Sequence, residues 1–220
     1  MIQAIFAVFK KDLYLELRTR YAINTLLAFT GAALLLILFT LRAEQLDPTP
    51  RSGLVWIVIL FAAMAGMARS FVAEADQKTW PLLRLNANPT DVYTGKLIYN
   101  FLFLLTLNLF TFTLYLFMLG MGVVNFFYLV TGIVFGALGL AAVTTMTSAM
   151  ISRADRRGAV FSVLSIPLLV PLLLILTRVT RVALVEGTDP AALNDVMALV
   201  GYAGVTITTG IILFDFIWDE

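Results

Sequence analysis

The stretch EADQKTWPLLRLNANPTDVYTGK, Glu74–Lys96, is the longest polar passage in the sequence and lies between two apolar blocks. Outward from it, in both directions, the chain becomes a series of such blocks. Hydrophobic residues fill 60% of the 220 positions and charged residues only 13%, with a net charge of +1 and a mean hydropathy of +0.94. That balance belongs to membrane-embedded chains rather than to soluble domains. A hydrocarbon core about 30 Å thick takes about 20 apolar residues per helix. Six stretches meet the requirement: Asn24–Leu41, Leu54–Ala73, Leu97–Met118, Phe126–Ile151, Ala159–Thr177 and Val196–Ile217. The connections between them are too short to hold a second globular unit. Residues 1–220 therefore read as one all-α integral membrane domain of six transmembrane helices preceded by a charged leader.

Basic residues orient the chain. Lys10, Lys11, Arg18 and Arg20 precede the first block, Arg69, Lys78, Arg84 and Lys96 surround the quoted passage, and Arg153, Arg156 and Arg157 precede the fifth. Only Arg42, Arg51, Arg178 and Arg181 fall on the opposite side. The positive-inside rule then places both termini and the quoted passage in the cytoplasm. In the leader, residues 1–20, Ile2, Ile5, Phe6, Phe9, Leu13 and Leu17 recur at helical spacing while Lys10, Lys11 and Arg18 fall elsewhere. This is the pattern of an amphipathic helix on the inner membrane surface; a basic tail that only sets topology is the alternative. No small-residue cleavage site follows Leu41, which argues against a secretory signal peptide.

Within the quoted passage Thr79 is placed to cap a short helix whose first turn holds Trp80 and Pro81, since a first turn leaves its amides unbonded and Pro has none to lose. Leu82, Leu83 and Leu85 follow. Asn86, Asn88 and Pro89 then break the helix, and Thr90 or Asp91 is placed to cap the next one, which rises through Lys96 into the third span. A mere connection needs no leucines facing water. A docking element does, and the passage reads as a coupling helix that inserts into a groove of a soluble partner and passes its movement to the spans. An interfacial helix with its leucines among lipid headgroups is the alternative.

Several chemistries are excluded. The chain has no cysteine and no histidine, which removes disulfides, thiolate nucleophiles, imidazole bases and the usual zinc sites. Gly95-Lys96 is followed by Leu97 and lacks the upstream glycine of a phosphate-binding loop, so this chain does not hydrolyse ATP by that route. Energy, if used, comes from another chain or a gradient. The apolar blocks hold essentially no acidic residue before Asp215, unlike an ion-coupled carrier. No paired-carboxylate, Ser/His or metal constellation of an intramembrane protease is present. The bilayer, and not nucleic acid, is the surrounding this composition fits.

Other features concern packing. Gly132, Gly136, Gly139, Ala142, Thr144, Thr145, Thr147 and Ser148 give the fourth span a small-residue face for close helix contact. Asn100, Thr106, Asn108 and Thr111 in the third span read as interhelical hydrogen-bonding groups. In the fifth span Pro167 and Pro171, four residues apart, mark a hinge or a static kink. Arg178 and Arg181 beyond it read as snorkelling cations, or as partners for an anionic group.

A six-span chain with an amphipathic leader, a coupling-like loop after the second span and no ATPase motif resembles the permease subunits of ABC-2 type exporters. FVAEADQKTWPLLRL (Phe71–Leu85) with NPTDVYTGKLIYNFL (Asn88–Leu102), and RRGAVFSVLSIPLLVPLLLILT (Arg156–Thr177), are similar to the heme exporter protein B family of the cytochrome c maturation system. The similarity in length and span count covers the whole chain, and the Arg-Gly followed by a Pro-x-x-x-Pro span is its more specific part. The resemblance implies an ABC-2 type exporter fold in the bacterial inner membrane and two copies of this permease with two copies of a cytoplasmic ABC ATPase. It also implies association with a haem-handling membrane protein and a small single-span subunit. ATP is then bound on the partner, haem is handled by the complex, and no cofactor is held directly by this chain, which fits its lack of histidine. ATP hydrolysis serves release of a haem-loaded chaperone. The resemblance puts the coupling role on Glu74, Asp76, Thr79, Leu82, Leu83, Leu85 and Pro89, with Arg156, Arg157 and Gly158 as a second cytoplasmic contact. Lys78 stands where many ABC-2 permeases have glycine. An ABC-2 permease for a lipid, drug or glycan, and a membrane scaffold without a transport cycle, are the competing functions.

Overall fold

Apolar blocks of this length have one way to satisfy their backbone in lipid, which is to become helices. The computed structural model describes residues 2–41, 46–67, 70–76, 79–152 and 157–219. Among them run α1 (Ile2–Thr19), α2 (Tyr21–Leu41), α3 (Pro48–Met67), α4 (Val72–Asp76), α5 (Trp80–Asn86), α6 (Pro89–Leu119), α7 (Phe126–Ile151), α8 (Arg157–Arg181) and α9 (Ala192–Asp219), and no strand occurs among the described residues. A π-helical turn, Val182–Glu186, extends α8. Six helices are long and apolar enough to cross a bilayer: α2, α3, α6, α7, α8 with its extension, and α9.

The second span corrects the sequence reading. Expected over Leu54–Ala73, the helix begins at Pro48 and ends at Met67. Pro48 and Pro50 look like loop residues but fit a first turn, whose amides have no partners to lose. The Ser52 hydroxyl donates back to the Pro48 carbonyl at 2.8 Å. At the other end Phe71 lies in a turn, where its amide donates to Ser148 Oγ at 3.0 Å, and the chain restarts as the separate α4.

α7 is the most buried of the six spans and packs against α6, α8 and α9. Its small-residue face is where they meet. A Cβ on Gly136 would overlap the Trp56 ring of α3, and the Trp56 indole N–H donates to Thr180 Oγ1 of α8 at 2.8 Å. Asn100 of α6 donates to Thr145 Oγ1 at 2.8 Å and Asn108 donates to the Ile133 carbonyl at 3.2 Å. Thr106 and Thr111, by contrast, return their hydroxyls to their own helix at Leu102 and Leu107.

α1 packs along one side and leaves apolar residues uncovered on another. Val8 is its buried residue, and it meets α6 at Gly95, where a Cβ would lie 2.8 Å from the Ile5 carbonyl oxygen. Ile2 and Phe6 are exposed, as on a helix resting in lipid, while Leu13 and Leu17 line a cavity between α1, α2 and α6. Arg20 turns the chain into α2 with φ +52°, and the Glu16 carboxylate accepts from the Ile23 amide at 2.9 Å, satisfying one of the unbonded donors in the first turn of α2.

α8 runs as a continuous α-helix through Pro167 and Pro171, both on its exposed face. At its far end Arg178 pairs with Asp195 at 2.9 Å. Arg181 reaches Glu186 at 3.1 Å and donates to Thr49 Oγ1 at 3.1 Å. These two arginines are held by this protein's own groups. The Ala183 carbonyl in the π turn accepts from the amides of Val124 and Asn125 at 3.0 and 2.9 Å, tying the α6–α7 connection to the end of α8.

Candidate functional site

The polar passage folds into α4, α5 and the first turns of α6. At 1.5 Å per residue, the 31 residues of α6 extend about 46 Å, well beyond a core of about 30 Å, so its N-terminal end projects past the apolar slab. Asn88, not Thr90 or Asp91, is the N-cap of α6, with extended dihedrals and Pro89 next. The reason is local: a residue before Pro is driven out of the helical region, and Pro itself suits a first turn. Thr79 sits at the N-cap of α5 but makes no cap hydrogen bond. Its hydroxyl donates instead to the Glu74 carboxylate.

Around Glu74 the fold gathers a closed ionic cluster. Lys96 of α6, only 1% exposed, places its ammonium 2.9 Å from Asp12 and 3.2 Å from Glu74, and donates to the Ser70 carbonyl at 2.9 Å. Lys11 of α1 pairs with Glu74 and lies 3.5 Å from Asp12. Among the described residues two cations face two carboxylates, so these charges balance in a place where an unpaired one would be costly. Burial by itself would raise the Glu74 pKa. The Lys96 charge, then the hydrogen bonds from Lys11 and Thr79, outweigh it and lower the value from 4.5 to about 2. The Asn100 amide continues the network, donating to Ser70 Oγ at 3.1 Å as well as to Thr145. α1, the α3–α4 turn, α6 and α7 are thereby joined at one point.

The residues assigned to this site from the sequence occupy different faces of it. Glu74, 4% exposed, and Thr79 point into the cluster. Leu83 is half-buried against the core, and Pro89 is half-buried in the first turn of α6. Asp76 is exposed. Leu85 is 81% exposed, and with the exposed Pro81, Arg84 and Asn86 it forms the outward face of α5. For Leu82, Arg157 and Gly158 the backbone alone is described, Arg157 and Gly158 opening α8. Lys78 and Arg156 lie outside the described residues. Since α6 and α7 form one out-and-back pair, the start of α8 is on the same side as α5.

Little in the local sequence pattern marks Lys11, Asp12 and Lys96 as site residues. Helical spacing places Lys11 on the polar face of the leader, yet its ammonium turns inward to Glu74. One signal was available: Lys96 opens an apolar block with no acidic residue within a helical turn of it in sequence, and such a charge calls for a distant partner.

The family model described as "CcmB protein" matches residues 3–213. No curated protein matches the chain.

Proposed function

The chain belongs to the CcmB protein family, and from that membership we propose how it works: a separate ATPase subunit docks on the outward face of α5 and drives it. As a family member the chain is a multi-pass membrane permease subunit of a haem exporter complex serving cytochrome c maturation. In our reading it has an ABC-2 type exporter fold and lies in the bacterial inner membrane with both termini in the cytoplasm. Two copies work with two ATPase subunits, beside a haem-handling membrane protein and a small single-span subunit. ATP binds the partner, haem is handled by the complex, and this chain holds no cofactor of its own.

The observation that carries the docking assignment is Leu85, 81% exposed on a short helix outside the spans. An apolar side chain held in the open beside Arg84 and Pro81 has the form of an anchor that a partner's pocket covers. Asp76 and the start of α8, Arg157 and Gly158, lie toward the same side and supply the flanking contact. We assign Glu74, Thr79 and Leu83 to the inner side of the site, where they fix the position of α5 instead of touching the ATPase.

The test is purification of the tagged chain from its native membrane in mild detergent, as wild type and as the double variant Leu85→Asp, Arg84→Glu. The reading expects an ABC-type ATPase and a haem-handling membrane protein with the wild type, and loss of the ATPase alone with the variant. An ATPase without the haem-handling protein would favour an exporter of another substrate. No ATPase with the wild type would favour a scaffold, and an ATPase retained by the variant would remove α5 as the docking site.

A further inference from the structure

We infer that movement of α5 is delivered to α9, and through α9 to the proline segment of α8, by an aromatic joint and one interhelical hydrogen bond; the inference rests on α5 being where the ATPase docks. α5 adjoins α4 and α6 in sequence, and those would be the obvious routes. The side chains add a third route beside the Thr79 bond to the Glu74 carboxylate and the packing of Trp80 on Phe71, ring centroids 6.2 Å apart. Trp80, the first residue of α5, lies with its ring 5.5 Å from that of Trp218 and 6.2 Å from that of Phe214. One turn on, the Arg84 guanidinium sits 5.9 Å from the Trp218 ring. Trp80 and Arg84 are four apart on one helix, and Phe214 and Trp218 are four apart on the other, so each pair shares a face. The two faces grip each other. Phe214 is fully buried and Trp218 7% exposed, although Trp218 lies in the last turn of α9.

Phe71 and Tyr93 close the joint, with ring centroids 5.0 and 5.4 Å from Phe214. Tyr93 also fixes how near α9 passes to α6: a Cβ on Gly210 would overlap its hydroxyl, which is buried without a hydrogen-bond partner among the described residues. Aromatic rings at these separations prefer defined tilted or edge-on geometries, so a rotation of α5 cannot be absorbed without moving the end of α9.

Twelve residues up α9 from Phe214, about 18 Å along the axis, Tyr202 donates its hydroxyl to the Leu168 carbonyl at 2.5 Å. Leu168 stands between Pro167 and Pro171, where the missing amides make the helix easiest to deform. α9 thus holds the docking helix at one end and the weak segment of α8 in its middle. Trp80, Phe214, Trp218 and Tyr202 are positioning residues in this scheme, and none of them touches the ATPase pocket or the cargo; Arg84 borders both the joint and the docking face.

Hydrogen-exchange mass spectrometry of the purified complex, with and without ATP plus vanadate, tests the path. In wild type, nucleotide is expected to change exchange both in α5 and in the peptide spanning 160–175. Tyr202→Phe removes one hydroxyl and keeps the ring; it is expected to leave the α5 response and ATPase recovery intact while the 160–175 response is lost. Trp218→Leu is expected to remove the response of α9 as well. An unchanged 160–175 response in both variants would overturn the inference. If the wild-type chain retains no ATPase, the docking assignment fails instead, and the joint is judged on the chain alone. There Trp218→Leu is expected to raise exchange in α5 but not in α3, and equal exchange in α5 would overturn the joint.

Discussion

Replacing Glu74 by Gln removes one charge from the cluster while keeping the side chain's size and an acceptor for Thr79. Its cost follows from the geometry. Glu74 is 4% exposed and faces Lys96 at 3.2 Å, with Lys11 and Thr79 on its oxygens. A pKa lowered from 4.5 to about 2, at about 1.4 kcal/mol per unit, makes the ionised form worth roughly 3 kcal/mol to the folded protein. Because the folded value lies below the unfolded one, the contribution is complete above pH 4.5 and is lost as pH falls through to about 2. Thermal unfolding in nanodiscs, followed by tryptophan fluorescence, reads both effects. At pH 7, Glu74→Gln is expected to lower the midpoint by about 6–12 °C for a chain of this size. The difference between wild type and variant is then expected to shrink as pH falls below 4.5, since acid converts the wild-type side chain to a neutral form like that of the variant. Groups distant from the cluster are common to the two proteins and cancel in the difference. A variant within about 0.5 kcal/mol of wild type, the range of an ordinary surface change, or a difference that does not vary with pH, would refute the cluster as described.

Gly95→Val places a branched side chain between α6 and the Ile5 carbonyl of α1, an overpacking cost of about 1–3 kcal/mol, and is expected to increase hydrogen exchange across α1 while the α6–α7 pair stays protected. Trp56→Phe deletes the bond to Thr180, which is 2% exposed, and is expected to cost about 1–3 kcal/mol in the same unfolding assay; Thr180→Val in the Trp56→Phe background is expected to add little, because the bond is already gone. Leu85→Asp alone is expected to leave the midpoint unchanged within about 0.5 kcal/mol while the ATPase is lost on purification, separating docking from folding.

The spans were legible because they follow from bulk apolar length. Phe126–Ile151 coincides with α7, and the small residues along it do mark its buried face. The start of α3 was not legible because Pro48 and Pro50 carry a turn signal in most settings and only a helix's first turn makes them ordinary. The short helix after Thr79 could be placed from Trp80-Pro81 and the break at Asn86–Pro89. Its outward face could not, since seven residues make too little of a period to tell Leu83 from Leu85. The ionic cluster was out of reach for a different reason. Lys11 and Glu74 are 63 residues apart and Asp12 and Lys96 are 84, so only the crossing of α1 over α6 at Gly95 makes them neighbours.

The central claim is that the ATPase covers the outward face of α5, and the chain's lack of cysteine gives a direct measurement. Leu85→Cys gives this chain a single thiol, to which a short photoactivatable cross-linker is attached before the purified ATPase is added back. The account predicts a cross-linked band of this chain with the ATPase subunit at Leu85, and none from Phe117→Cys, which is equally exposed at 83% but lies at the opposite end of α6. No adduct from Leu85→Cys in a complex that retains the ATPase, or equal adducts from the two positions, would contradict it.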